Sequence, residues 1–600
     1  MINSIQSVLD RLSAWALNAF GDLYPTALLA VRYLIPVLSL IVILRCVISL
    51  FREEASPEEW GRLILAGNIS VPLTHWENTI GRARSSDIRV DVPTVSRSHG
   101  ALIRDDRGNW TVYDLSSRTG IEIDHRRVKQ SAPIRSGQVI TVGGLDMVFL
   151  PLGPEGEREQ ARARRYRYNP VSQGFTLFLL TLLQLCFMAG FTAAAETIPD
   201  SRVLLGFLGL IAVTWIAYFF TRILRRRAFE AETVALLLTT AGFAVCGTSA
   251  AYEMTRQILF LFAGIVLYFV IGAFLRNINL TKKLRIPAAA AGLLLLAVNL
   301  ILSERVLGAK NWLSIGGFSF QPSEFVKIFF IYAGAATLDH LFTKKNLLLF
   351  IGFAGCCVGA LVLMSDFGTA LVFFVTYLVI AFMRSGSFST VFLSVGGSLF
   401  AGILAISVKP YIKSRFAGWR HAWDYPYDSG YQQTRAMSAA AGGGLFGLGP
   451  GRGWLETVVA ANTDLVFGIL CEEEGLLFAL FMVFAVLLLG IYAFVFAGRA
   501  RSSFTVIGSI AASSLLIFQM CLNVLGSMDI LPFTGVTFPF VSRGGSSLIA
   551  CWGLLAFIKA CDTRQNASFT IRLPRRVRAP RRDGESEDVR GMPGERGEAL

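Results

Sequence analysis

Four ionisable side chains stand where apolar runs meet polar loops: Glu324, Lys327, Asp366 and Asp464. Placing a charge in hydrocarbon costs several kcal/mol, so each is expected to pair with another group or to face a wet cavity. Glu324 and Lys327 are three apart after Pro322 and so share one face of a helix. That spacing suits an intramembrane ion pair or a contact with a polar headgroup. Asp366 precedes Gly368 and Thr369 at a turn between two apolar runs, where a carboxylate caps the next helix or meets a ligand. Asp464 ends a glycine-rich connection (Gly442 to Gly444, Gly447, Gly449, Gly451, Gly453) and opens an apolar run. It suits a helix cap or a general base at the mouth of a groove. Lys413, Arg415, Arg420, Arg435 and Arg452 lie among Trp419, Trp423, Tyr425, Tyr427 and Tyr431, a mixture fitted to phosphates and sugars. The glycine stretch lacks the lysine of a phosphate-binding P-loop, and its glycines suit mobile or closely approaching backbone beside a bulky substrate.

These residues must be positioned by a membrane protein. Of the 390 residues from Val171 to Ala560, 43 are charged, about 11%, against about 26% in the rest of the 600-residue chain. The net charge of +14 sits largely in short basic runs beside apolar segments, a pattern that orients helices rather than one that binds nucleic acid. The nine cysteines form no C-x-x-C pair, so they read as small core residues and not as metal ligands or a disulfide framework. Residues 1–55 are expected to hold a membrane anchor helix. Residues 60–152 alternate in short runs separated by turn clusters, which predicts an all-β sandwich. A basic linker over 153–171 reads as a solvated tether.

Twelve apolar segments follow within 172–560, among them 388–408 and one long segment at 465–496. The fold class is therefore a polytopic α-helical membrane protein of about twelve helices after one anchor helix, with an inserted β sandwich. Alternation puts the runs at Arg222 to Arg227, Lys282 to Arg285, Lys344 and Lys345, and Arg499 to Arg501 on one side, which is cytoplasmic by the positive-inside rule. The β sandwich and the tail over 561–600, expected to be disordered, share that side, whereas the N-terminus and the Asp464 loop lie outside.

Five ordered blocks between about 200 and 560 resemble the SEDS family (shape, elongation, division and sporulation) of bacterial inner-membrane proteins. They are Gly308 to Trp312 with Phe320 to Lys327, Ser365 to Thr369, Gly430 to Gln432 with the glycines after it, Thr463 and Asp464 with Glu473 to Gly475, and Asn523 with Leu531 to Ser547. The resemblance implies a peptidoglycan glycosyltransferase that polymerises lipid II outside the cytoplasmic membrane beside a class B penicillin-binding protein. Asp464 would be its catalytic carboxylate, with Trp312, Gln321, Glu324, Lys327, Asp366, Arg415, Gln432, Ser542 and Ser546 toward substrate. The family's usual His before Thr-Asp is Asn462 here, Val458 to Ala461 replace its Leu-Pro-Glu, and Arg543 stands where an aromatic is common. A silent scaffold or a lipid-precursor flippase are the alternative functions. The resemblance requires no cofactor and leaves room for a divalent cation, Mg or Mn, on the pyrophosphate, but no residue set here has metal-ligand spacing.

The β region is similar to forkhead-associated (FHA) domains in Gly81-Arg82, Ser96 to His99 and Asp114 to Gly120. That similarity implies phosphothreonine binding by Arg82, Ser96, Arg97 and Thr119, with His99 bracing the loop. Thr119 takes the place of the family's usual Asn.

Overall fold

The computed structural model describes residues 24–52, 58–84, 86–105, 107–167, 171–194, 200–306, 309–315, 318–338, 344–385, 388–389, 391–397 and 418–564. The chain opens with α1 (Tyr24–Phe51), whose Pro36 is tolerated in an otherwise apolar run.

The β unit follows. Its strands are β1 (Gly61–Leu65), β2 (Ile69–Leu73), β3 (Glu77–Gly81), β4 (Ile88–Arg89), β5 (Gly100–Arg104), β6 (Trp110–Asp114), β7 (Ile121–Ile123), β8 (Arg126–Arg127), β9 (Ser131–Ile134), β10 (Val139–Val142) and β11 (Leu145–Pro151). They form a six-stranded sheet, β2-β1-β11-β10-β7-β8, and a five-stranded sheet, β4-β3-β5-β6-β9. Alternate side chains such as Leu63, Ile80, Leu102, Val112, Ile140 and Phe149 point inward and bury one shared core, as the period of two requires. The stretch expected as a tether is helical over α2 (Pro154–Arg167), with Glu155 and Glu157 in its first turn, where acidic groups suit the helix dipole.

The bundle then runs through α3 (Gln173–Ala194), α4 (Ser201–Ile223), α5 (Glu230–Ser249), α6 (Met254–Phe274), α7 (Ile278–Lys283) and α8 (Arg285–Leu302). A small sheet of β12 (Glu304–Val306), β13 (Ala309–Ile315) and β14 (Phe318–Phe320) precedes α9 (Pro322–Leu338), α10 (Lys344–Leu363) and α11 (Phe367–Ser385). After the loop come α12 (Tyr431–Gly443), α13 (Ala461–Asp464), α14 (Val466–Glu473), α15 (Leu476–Ala497), α16 (Ser503–Ser527) and α17 (Gly545–Ala560).

Among the described residues, nine helices are long and apolar enough to cross a bilayer, and Phe367–Met383 and Gly545–Ala560 are shorter apolar helices. Small residues let them approach: a Cβ on Gly264 of α6 would meet the Trp552 ring of α17 at 3.1 Å. Helices α1, α3 and α4 share the apolar core of the later bundle and so extend it.

The expectation of a single segment over 465–496 is corrected: it is two helices, α14 and α15, divided at Gly475, whose φ of +89° favours glycine. The segment expected at 388–408 is described only in part, and residues 1–23 and the tail beyond 564 lie outside the described residues. Of the tail, Asp562 and Arg564 are buried inside the bundle.

Candidate active site

The turn that carries Asp464 is held through its backbone. Ala460, at φ +61°, turns the chain into the single turn of α13, and the Asp464 N–H donates to the Ala460 carbonyl at 2.9 Å. Asn523 of α16 donates from Nδ2 to the Asp464 carbonyl (3.1 Å) and to the Val536 carbonyl (2.8 Å). Ser542 Oγ donates to the Thr463 carbonyl at 2.6 Å while accepting from the Phe538 N–H at 2.7 Å. The 532–544 loop is thereby laced to the turn that carries Asp464.

Gly535 of that loop sits at φ +67°, and a Cβ there would lie 3.0 Å from Asp464 Oδ2. The half-buried carboxylate thus rests on bare backbone, and only glycine leaves that space. The same loop reaches the second aspartate, because a Cβ on Gly368 would strike Val536 at 2.5 Å and Thr534 at 3.0 Å. Asp366 accepts from the Thr369 N–H at 3.2 Å, capping α11, and from Gln321 Nε2 at 3.3 Å. Gln321 in turn donates its own N–H to Ser546 Oγ at 3.3 Å. Asp464, Asp366, Gln321, Ser542 and Ser546 therefore border one loop.

Glu324 and Lys327 form the expected pair at 2.7 Å, almost fully buried, and Lys327 also donates to Gln519 Oε1 at 2.9 Å. Gln519 donates to the Thr537 carbonyl (3.0 Å) and hydroxyl (2.8 Å), so the pair is tied to the 532–544 loop from below. Its charges are compensated within the protein, which favours the structural reading over headgroup contact. Trp312 stands half-buried on β13, and Gln432 Nε2 donates to the Val459 carbonyl at 2.9 Å. Arg415 lies outside the described residues.

In the glycine-rich stretch, the close backbone approach that the described contacts show is to the protein itself. A Cβ on Gly443 would lie 2.0 Å from the Cys471 carbonyl, and one on Gly447 2.0 Å from that of Glu473. Gly443, Gly447 and Gly453 are close-packing positions against α14, whereas Cβ atoms on Gly442 and Gly444 would meet nothing within 4 Å. The close packing allows the N–H groups of Gly451 and Gly453 to reach the Glu473 carboxylate, and those of Trp454 and Leu455 to reach that of Glu472, at 3.0–3.2 Å. Asn462 and Arg543, both departures from the family pattern, meet: the Arg543 N–H donates to the Asn462 carbonyl at 2.9 Å, and its guanidinium pairs with Glu253 at 2.8 Å. Sequence reasoning missed Gln519 and Gly535. Gln519 was open to view as a polar residue four before Asn523 on an apolar helix, a spacing that puts both on one face. Among the described residues, no three His, Cys, Asp or Glu converge on a metal position.

At the sandwich, Gly81 allows the β3 loop to close on the Arg97 carbonyl, which a Cβ would meet at 2.2 Å. His99 is buried. Its Nδ1 accepts the Ser96 N–H and its Nε2 faces the Gly120 carbonyl, both at 3.0 Å, which makes Nε2 the protonated nitrogen. The Arg118 N–H donates to Ser96 Oγ at 3.1 Å, and Thr119 Oγ1 to the Thr94 carbonyl at 3.4 Å. Arg82, Arg97, Arg118 and Thr119 are exposed together around this braced loop.

The sandwich and the Asp464 turn contact opposite ends of one helix. Ser503, which opens α16, touches the sandwich through Glu77, whereas Asn523 near its other end holds Asp464. Twenty residues at 1.5 Å each put about 30 Å between them, the thickness of a bilayer core.

Both parts of the chain are similar to known proteins. The FHA domain model matches residues 78–143 and the FtsW/RodA/SpoVE cell cycle protein model residues 233–567. The probable peptidoglycan glycosyltransferase FtsW of Borreliella burgdorferi is 30% identical over 341 residues, covering 54% of this chain and 93% of that protein. The peptidoglycan glycosyltransferase RodA of Mycobacterium tuberculosis is 30% identical over 327 residues, covering 50% and 69%. A chain from a solved peptidoglycan synthase complex for polymerization and crosslinking superposes with a TM-score of 0.48 at 26% identity, covering 55% of this chain and 96% of that one. With its multi-helix bundle, its Asp464 loop and a family match over more than half its length, this chain belongs to the FtsW/RodA/SpoVE family and carries an FHA domain.

Proposed function

We propose that this protein is a peptidoglycan glycosyltransferase that polymerises lipid II at the outer face of a bacterial cytoplasmic membrane, with its FHA domain on the cytoplasmic side. The observation that carries the reading is the seating of Asp464. Its turn is fixed by Asn523 and Ser542, and its carboxylate lies on the Gly535 backbone at the bundle end remote from the sandwich. Elongation needs a sugar hydroxyl to lose its proton as its oxygen attacks the anomeric carbon of a second, lipid-linked sugar, while the bond to the pyrophosphate breaks. A carboxylate within hydrogen-bond reach of that hydroxyl takes the proton. Fixing the carboxylate through its main chain lowers the reorganisation required at the moment of transfer. Arg415 and neighbouring loop cations serve the pyrophosphate leaving group by charge-assisted hydrogen bonds.

The reading extends to partners. A class B penicillin-binding protein supplies the crosslinking step, and a phosphothreonine segment docks on Arg82, Ser96, Arg97 and Thr119. The decisive experiment is polymerisation of purified lipid II by the full-length chain with its partner. Asp464→Asn keeps the shape and removes the base, so glycan formation falls by about 10²–10⁴-fold. Glycan strands of unchanged length and rate would remove Asp464 from catalysis, and no glycan from the wild type would favour a silent scaffold.

A further inference from the structure

The basic turn between α15 and α16 does more than mark a membrane face, because the sandwich is seated on it. The Trp76 N–H donates to the Arg501 carbonyl at 2.8 Å, and His75 Nδ1 donates to the Ala500 carbonyl at 2.8 Å. Arg501 makes a bidentate pair with Glu58 at 2.6 and 2.9 Å. Its guanidinium lies 4.9 Å from the Trp60 ring centre and 5.6 Å from that of Trp76. Arg104 stacks on the same two rings at 4.6 and 5.3 Å, so two tryptophans and two arginines make one layered contact. At the first residue of α16, the Ser503 N–H donates to Glu77 Oε2 at 3.3 Å and its hydroxyl bonds to the same carboxylate. The sandwich thus supplies a negative group to the positive end of the helix.

That helix is the element whose far end carries Gln519 and Asn523, the side chains that hold the 532–544 loop and the Asp464 turn. On the sandwich side, β3 begins at Glu77 in the seat and ends at Gly81, where the phosphate-reading loop starts. A cavity of about 260 Å³ beside Glu77, Asp87, Ala500, Ser503 and Ile507 leaves the contact room to open.

We propose that the FHA domain is an in-chain brace for the glycosyltransferase. Seated on the Ala500 to Ser503 turn, it fixes the start of α16 and through that helix the Asp464 turn, so that unseating it slows polymerisation. The rate arm of this proposal rests on the glycosyltransferase reading, whereas the structural arm does not. The seat is a local opening equilibrium coupled to the distant site.

The test uses the full-length chain in lipid nanodiscs with its penicillin-binding partner, comparing wild type, Arg501→Glu and the milder, isosteric Glu77→Gln. Amide hydrogen exchange is followed over 498–506 and over 460–466, and lipid II polymerisation in parallel. Arg501→Glu is expected to speed exchange in both segments and to lower polymerisation by about fivefold, the low end of site-to-site coupling, with Glu77→Gln falling between it and wild type. Faster exchange at 498–506 with none at 460–466 overturns the brace, as does unchanged exchange in both. A wild-type chain that forms no glycan while the two segments still respond together defeats the activity reading and leaves the brace standing.

Discussion

Two charged groups at opposite ends of the helix bundle, the Arg564 network and Asp464, are held differently. At the sandwich end, Arg564 donates to Glu230 (3.1 Å) and Asp562 (2.8 Å), Lys559 lies 3.3 Å from Glu232, and Tyr492 donates to Asp562, all of it buried. Ser49 of α1 and Gln173 of α3 add hydrogen bonds to Glu230, so five helices and the start of the tail converge on one compensated network. At the other end, Asp464 is only half-buried, and what anchors its turn is hydrogen bonding to main-chain carbonyls. A charge closed among opposite charges in a buried network specifies packing, whereas a half-buried carboxylate on a turn held by main-chain hydrogen bonds is open to proton chemistry.

The contrast breaks most sharply under Arg564→Ala, which leaves Glu230 and Asp562 buried without their arginine. A loss of about 3–5 kcal/mol in stability is expected, measured by thermal unfolding in detergent or nanodiscs. A melting temperature equal to that of the wild type would mean the network is not closed. At the Asp464 end, Gly535→Ala places a methyl 3.0 Å from Oδ2 at a φ of +67°. It should cost about 1 kcal/mol of stability, from the backbone strain. Polymerisation should drop about tenfold, because the carboxylate is displaced. Equal activity would remove Gly535 from the site.

The sequence made the Asp464 end legible as ingredients and not as an arrangement. Glu324, Lys327 and Asp366 announce themselves as ionisable groups in apolar runs, and Pro322 marks a helix start. Nothing in spacing could show that the loop around Gly535 runs between Asp366 and Asp464, since that contact joins segments about 70 and 170 residues apart. The break at Gly475 was hidden because α14 and α15 are both apolar, and hydropathy does not report a break between two apolar helices. The glycines of 442–453 suited mobile or closely approaching backbone alike, and what packs against them decides: Gly443, Gly447 and Gly453 are close contacts, Gly442 and Gly444 are not. Asp562 and Arg564 stood next to a polar tail, and only their partners on α5 and α15 draw them inside.

Smaller effects belong to the sandwich itself. Arg82→Ala should weaken binding of a phosphothreonine peptide by about tenfold, one charge-assisted hydrogen bond's worth, read by fluorescence anisotropy. Thr119→Asn, which restores the family's usual side chain, should tighten the same peptide by a few fold. Unchanged affinity in both would assign the domain to bracing alone.

The most direct measurement of the central claim is sidedness. In a variant cleared of its native cysteines, Asp464→Cys is expected to react with a membrane-impermeant maleimide added outside whole cells, while Arg82→Cys reacts only after lysis. Labelling of both positions from the same side of the membrane would contradict the account.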